Sequence, residues 1–543
     1  MWRTCNILFV CLIGLLQNVY GLPPALEQDT AITDSVNLQA FQTMQVIKSD
    51  TNTRYILVGN VILSADSNLF FCDSLIFDSD IDSGIIRAYD NIQVKTVDGV
   101  IISSDSLVYS LQSGAGRFLG NCTYIEANKR IESPFISFNT QSGEGSFAGG
   151  GTLQQEGTRI RSNYGNYSSR GGASRLAGNV EVEQEDTYIK SKELIYNAQT
   201  GEGKVLDSTV IYKENLTIYC HEGDLGGPSN VSRFGQQTLF VTEHNIGWSD
   251  KTEYHPKDSS MTFLSTFHIY NTIDSVGMWG IHAMFDEKSG RIKGYNRPMV
   301  YLIDGLDTSY FCADTLFSIN GEAIDESGLS TGRRLRGWGQ SKFYTPQEQG
   351  QSDSIKWFGG EGYSKLDGRV VLWNDSVEVL ADHSIMETLD HETDYKKITF
   401  YDRAFWSKVV VDSVLADQVS GDSILLFVKE AKTEKIEVIG NVKVLVFPKT
   451  QKDGSHENGN LCKAEYAVVT LDSLGEVISL RVEKNIEGEA FSLAGNNFPQ
   501  HLAEFRTERS NRPSSFIDLS SQPNIPPISP LWLYKQHLIQ WGK

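Results

Sequence analysis

This sequence has few cysteines, a shortage of basic residues and no long apolar stretch. Of its seven cysteines, Cys5 and Cys11 fall within the first 21 residues, and Cys72, Cys122, Cys220, Cys312 and Cys462 are scattered singly. There is no CxxC pair, whereas disulfide scaffolds and structural zinc sites use dense, paired cysteines. Neither is expected. Only 48 Lys and Arg stand against 68 Asp and Glu, a formal net charge of -20. That excludes nucleic acid as a partner, because its phosphates need a basic surface. It argues equally against a site that holds an anion chiefly by charge. The apolar run Ile7 to Leu16 is about half of the roughly 20 residues a spanning helix needs. It follows Arg3 and precedes small residues near Gly21, the order of a secretory signal peptide cleaved near Gly21. The chain is therefore expected to be exported and soluble, with no cofactor. After residue 21 a linker is expected over 22–45.

What is present is repetition. Tyr109, Phe138, Tyr167 and Tyr196 follow one another at intervals of 29 residues. Each is followed five residues later by a glycine (Gly114, Gly143, Gly172, Gly201) and preceded by seven by Ile102, Ile131, Ile160 or Ile189. Spacing held this strictly marks a stacked-repeat architecture. Inside each unit apolar and polar residues alternate, as in Gly178-Asn179-Val180-Glu181-Val182, and period two marks half-buried strands. Asp98-Gly99 supplies turn chemistry between two strands. Each repeat reads as two antiparallel strands, advancing the array by ~10 Å. A sheet with one apolar face cannot leave it in water, so it must fold over on itself or enclose something apolar. The first array is expected over 46–220. Degenerate repeats with polar loops follow over 221–345. A second array covers 346–495, where Gly421-Asp422-Ser423-Ile424 and Gly440-Asn441-Val442-Lys443-Val444 return. Residues 496–543, with Pro513, Pro523, Pro526, Pro527 and Pro530, read as an extended tail with Trp532, Tyr534 and Trp541 as anchors.

The recurring G-N-V-x-V strand, followed by A/S-D-S/T-L-x-Y/F, resembles the OstA-like (organic solvent tolerance) family. That family includes the periplasmic bridge protein of lipopolysaccharide transport. The resemblance implies an all-β, V-shaped β-jellyroll, here in two tandem arrays. It also implies a non-enzymatic periplasmic role in outer-membrane biogenesis, with lipopolysaccharide or another acylated lipid held inside. Other lipopolysaccharide-transport envelope proteins would join by edge-strand pairing. The candidate inward, lipid-contacting residues are Val61, Leu63, Leu75, Phe77, Ile92, Val94, Leu107, Tyr109, Ile136, Phe138, Val180, Val182, Leu194 and Tyr196. A closed, dry core accounts for the same pattern, as in a structural surface protein or adhesin.

Rival chemistry is weaker. Gly328-Leu329-Ser330-Thr331-Gly332 matches a nucleophile elbow, but that elbow needs a strand before it and a helix after it. Here it lies between acidic and basic stretches and reads as a polar loop. Asp382-His383 and Asp390-His391 offer ligand types without a third histidine nearby. Arg333, Arg334 and Arg336 form a basic run that reads as a solvated face. A polysaccharide-acting enzyme built on the same repeats would need a carboxylate cluster on one face.

Overall fold

The computed structural model describes residues 31–519 apart from short internal stretches: 34–35, 50–51, 81–83, 170–171, 228–229, 236, 274, 305–306, 320–333, 360–361, 391–394, 412–414, 431, 450–454, 473–474 and 495–497. The expected signal peptide, the Gly328–Gly332 motif, Arg333, His391, Trp532, Tyr534 and Trp541 lie outside the described residues. The architecture is all-β and repeat-built, as the repeats require. The chain divides into two compact units, Met1–Val182 with Asn197–Gln199, and Glu183–Tyr196 with Thr200–Lys543.

In the first unit the 29-residue repeat is two antiparallel strands. Ile101–Ser110 pairs with Ala115–Glu126, Lys129–Asn139 with Glu144–Gln155, and Thr158–Ser168 lies next. Strand Val36–Ala40 falls within the stretch read as a linker and Thr43–Lys48 begins in it, and both pair with Asn52–Ala65. The turn after each aromatic has a local cause. Gly143 N–H donates to Asn139 O at 2.9 Å, and Asn139 Oδ1 accepts from the N–H groups of Gln141 and Ser142 at 2.9 Å each. Gly143 closes that turn at φ +75°, a conformation that costs glycine little. Two residues on, a Cβ at Gly145 would come within 2.3 Å of the Tyr167 ring, so the glycine there makes room for the aromatic.

The Gly-Asn step is not ordinary strand. Gly59-Asn60 and Gly178-Asn179 take positive φ in mid-strand, as does Gly120, and the register shifts at Gly59-Asn60 and at Gly120. Such bulges bend a strand sharply. The partner strand changes phase at the same point, burying Ile102 and Ser104, then Leu107 and Tyr109. The motif aspartate clamps the corner: Asp105 accepts from the backbone and side-chain nitrogens of Asn121 at 3.0 Å each. Asp73 accepts from Asn91 at 2.7 Å. A Cβ on Gly120 would lie 2.2 Å from Asp105 Oδ2. Corners stacked strand after strand fold the sheet over its own apolar face.

In the second unit the same plan appears in two forms. Between about 200 and 319 the strands stop at the corner and restart, giving two facing sheets. One contains Leu216–Cys220, Thr238–Val241, Asn245–Ser249, Phe267–Asn271, Val276–Gly280 and Met299–Asp304. The other contains Thr252–His255, Ser260–Phe263 and His282–Asp286. Phe240 of the first stacks at 5.2 Å on Phe263 of the second. Arg334–Tyr344, at the end of the stretch expected to hold degenerate repeats with polar loops, pairs with both sheets. From there long bent strands continue to Asn458–Leu471. Their corners reuse the clamp, with Asn441 on Asp422 at 2.9 Å and arginine in place of asparagine at Arg369–Asp353 and Arg403–Asp382.

Candidate functional site

The candidate inward residues all face the interior. Val61, Leu63, Leu75, Phe77, Ile92, Val94, Leu107, Tyr109, Ile136, Phe138, Val180, Val182, Leu194 and Tyr196 are each no more than 3% exposed. In the first unit they join two apolar walls, one on each side of the corner. One wall runs Leu63, Phe70, Val94, Ile102, Tyr124, Ile131, directly opposed on successive strands. The other runs Leu75, Ala88, Leu107, Phe118, Ile136, Phe147.

The walls meet through rings. Phe70 meets Tyr109 edge-on at 4.9 Å, and Tyr124 meets Phe138 at 5.5 Å and Tyr167 at 4.8 Å. Lys129 lies over Tyr124 and Tyr167, and its Nζ donates to Ser168 O at 3.3 Å. Two phenol oxygens of this seam reach polar partners: Tyr109 Oη and Thr140 Oγ1 are 2.9 Å apart, and Tyr124 donates to Glu126 at 2.8 Å. Burial pushes the phenols of Tyr109, Tyr124 and Tyr167 above their ordinary value and that of Tyr196 to about 12. It likewise drives the thiols of Cys72 and Cys220 up to about 12 and those of Cys122 and Cys312 to about 11. These cysteines are free and are packing groups rather than nucleophiles.

The second unit holds two apolar cavities. One of about 180 Å³ is lined by Ile189, Tyr196, Ile211, Ile218, Leu225 and Phe234. Another of about 220 Å³ has a floor of Ile398, Phe400, Trp406, Leu426 and Val428, with Lys408, Lys432 and Asp472 at its lips. An apolar cavity of about 150 Å³ holds a benzene-sized guest, a volume that both exceed.

The rival sites dissolve into the fold. Asp382 is a corner clamp held by Arg403, and His383 turns to Asp367 at 2.9 Å. Among the described residues no group of His, Cys, Asp and Glu is placed to hold a metal. Arg334 packs over the Phe358 ring. No described helix is long and apolar enough to cross a membrane.

Residues 33–175 match the family model described as OstA-like protein. This segment is OstA-like. The OstA-like segment contains both apolar walls and the ring contacts between them. Among solved structures the chain is similar to LptH from Pseudomonas aeruginosa, described as the LptA-homologous periplasmic component of the lipopolysaccharide transport device. That similarity is 11% in sequence with a TM-score of 0.19, and covers 20% of this chain and 80% of that one. No curated protein matches.

Sequence reasoning missed two features. The corner clamp was visible as an Asp followed some 15 to 20 residues later by Gly-Asn, as in Asp105 to Asn121 and Asp422 to Asn441. The second is a strap, residues 498–519, that crosses the second unit's strands. Leu502 packs with Leu445 and Phe447, and Phe516 stacks on Tyr310 at 4.4 Å.

Proposed function

We propose that this protein is a periplasmic, non-enzymatic lipid carrier whose OstA-like segment holds the acyl chains of lipopolysaccharide, or of another acylated lipid, between its two apolar walls. One observation carries the reading: the walls of a matched OstA-like segment meet through side-chain rings rather than backbone pairing. Rings can rotate aside where a hydrogen-bonded ladder cannot. A specific ring contact contributes about 0.5–1.5 kcal/mol beyond its burial, and one buried methylene contributes about 0.8. Two methylenes therefore offset each ring pair that parts. An acidic protein can hold an anionic lipid in this way because the tails, not the head group, are gripped.

The role is passive and needs an energised partner to push lipid along. The strand Thr43–Lys48 supports partner docking by edge pairing, since it is exposed along its length and carries Met44, Val46 and Ile47. A dry structural spacer, its walls kept closed, is the competing reading.

Native mass spectrometry of protein from its own envelope, with lipid extraction, separates the two. Bound lipopolysaccharide, lost when Leu107 and Tyr109 are replaced by Asp, is the expected result. A lipid-free protein that also refuses added lipid would leave the spacer.

A further inference from the structure

The strap leads to a second binding surface, independent of the lipid reading. It crosses the strands in reverse chain order. Leu502 N–H donates to Gln418 Oε1 at 2.8 Å, Glu508 N–H to Glu378 at 2.8 Å, and Arg512 Nε to Gln349 at 2.7 Å. Leu519 then packs with Trp279, Met299, Tyr301 and Cys312, and its carbonyl accepts from Arg297 at 2.9 Å.

The sheet reached there continues in the strap's direction. Directly opposed on successive strands stand Met299, Trp279, His268, Trp248, Leu239 and Tyr219. The alternate positions, including Phe240, face the opposite sheet, so this row points outward. The outer face of a sandwich is ordinarily polar and wet. Here Leu239 is 1%, His268 6% and Tyr219 7% exposed. Trp248 Nε1 is buried without a hydrogen-bond partner among the described residues, and an orphaned buried donor of that kind costs about 1–3 kcal/mol.

We propose that this outer face binds residues 520–543 of the same chain, as the continuation of the strap. From the Met299 strand to the Tyr219 strand is five strand spacings, about 24 Å. The 24 residues of 520–543 reach about 80 Å when extended, so length is no obstacle. Their composition fits a side-chain binder: Leu531, Trp532, Leu533 and Tyr534 bring apolar area, while Pro523, Pro526, Pro527 and Pro530 prevent a regular added strand. The extended conformation prolines favour leaves backbone carbonyls free to accept from a buried donor such as Trp248 Nε1.

The test uses the full chain with a photoreactive benzophenone amino acid at Ile246, which opposes Val241 and Tyr270 on the same outer face. Irradiation of mixed isotopically labelled and unlabelled chains, followed by peptide mapping, should give cross-links within 520–543 of the same chain. Cross-links to a second copy, to lipid or to other segments would overturn the proposal, as would their absence. In parallel, amide exchange of Asn245–Ser249 should rise at least tenfold in a Trp532→Asp, Tyr534→Asp variant that keeps its core strands protected. Unchanged exchange in that variant would also overturn it.

Discussion

Glu378 is the point where the strap is fastened, and removing it should release the strap without melting the array beneath. Its carboxylate is fully buried. It accepts from Trp373 Nε1 at 2.9 Å, from Thr507 Oγ1 at 2.8 Å and from Glu508 N–H at 2.8 Å, with Arg509 Nε at 3.7 Å. Hydrogen bonds to a charged acceptor contribute about 1.5–3 kcal/mol each, and breaking a buried charged network costs about 3–5 kcal/mol. Glu378→Ala should therefore weaken strap docking by about 4 kcal/mol, close to a thousandfold in local opening at 1.4 kcal/mol per tenfold. The Glu508 amide is itself one of the lost donors, so its hydrogen exchange reads the change directly. It should exchange several hundredfold faster or more, along with Leu502, while buried strand amides such as Val438 and Val444 keep their protection. Glu378→Gln keeps one acceptor oxygen and should fall between. Unchanged exchange at Glu508, or loss of protection across the whole array, would refute the view of the strap as a separately fastened cover.

Two further outcomes follow from the corners and from one buried imidazole. Gly120→Ala meets both a positive φ of +91° and the Asp105 carboxylate, so chemical denaturation should show a loss of about 1–3 kcal/mol. Asp105→Ala, which removes two exposed hydrogen bonds, should cost about 1 kcal/mol; a loss larger than that of Gly120→Ala would argue against the corner geometry. Burial holds the His268 imidazole, 2.9 Å from Tyr301 Oη, down at about 4 against an ordinary 6.5. Because the folded value is depressed, the unfolded chain takes up the proton first. The stability tied to the neutral ring is then present above pH 6.5 and lost as pH falls toward 4. The advantage of the native protein over His268→Gln should shrink by up to about 3 kcal/mol across that window, and a constant difference in denaturant midpoints would contradict it.

The 29-residue spacing made strands, turns and inward residues legible, because period-two burial and glycine turns are local properties. The corners were misread for the same reason. Gly-Asn looks like the start of a strand until the Asp105 carboxylate, contributed by the neighbouring strand, is seen to hold it. The broken strands between about 200 and 319 lose the spacing because each half-strand can end independently at the corner. The strap was read as a proline-rich tail. Its fastening through Glu378, Gln418 and Tyr310 joins positions 84 to 206 residues apart, a relation that no local pattern encodes. Its anchors within the described residues are Leu502, Phe505, Phe516 and Leu519.

The claim that matters most is that the interior of the OstA-like segment opens to lipid. A photoreactive residue at Leu107, inside, and another at Tyr164, on the exposed face of the same unit, put it to the test with purified lipopolysaccharide as the probe. The account predicts saturable cross-linking of lipopolysaccharide at position 107 and little at 164. Equal labelling at both, or none at 107 while the protein stays folded, would show the walls to be a permanently closed core.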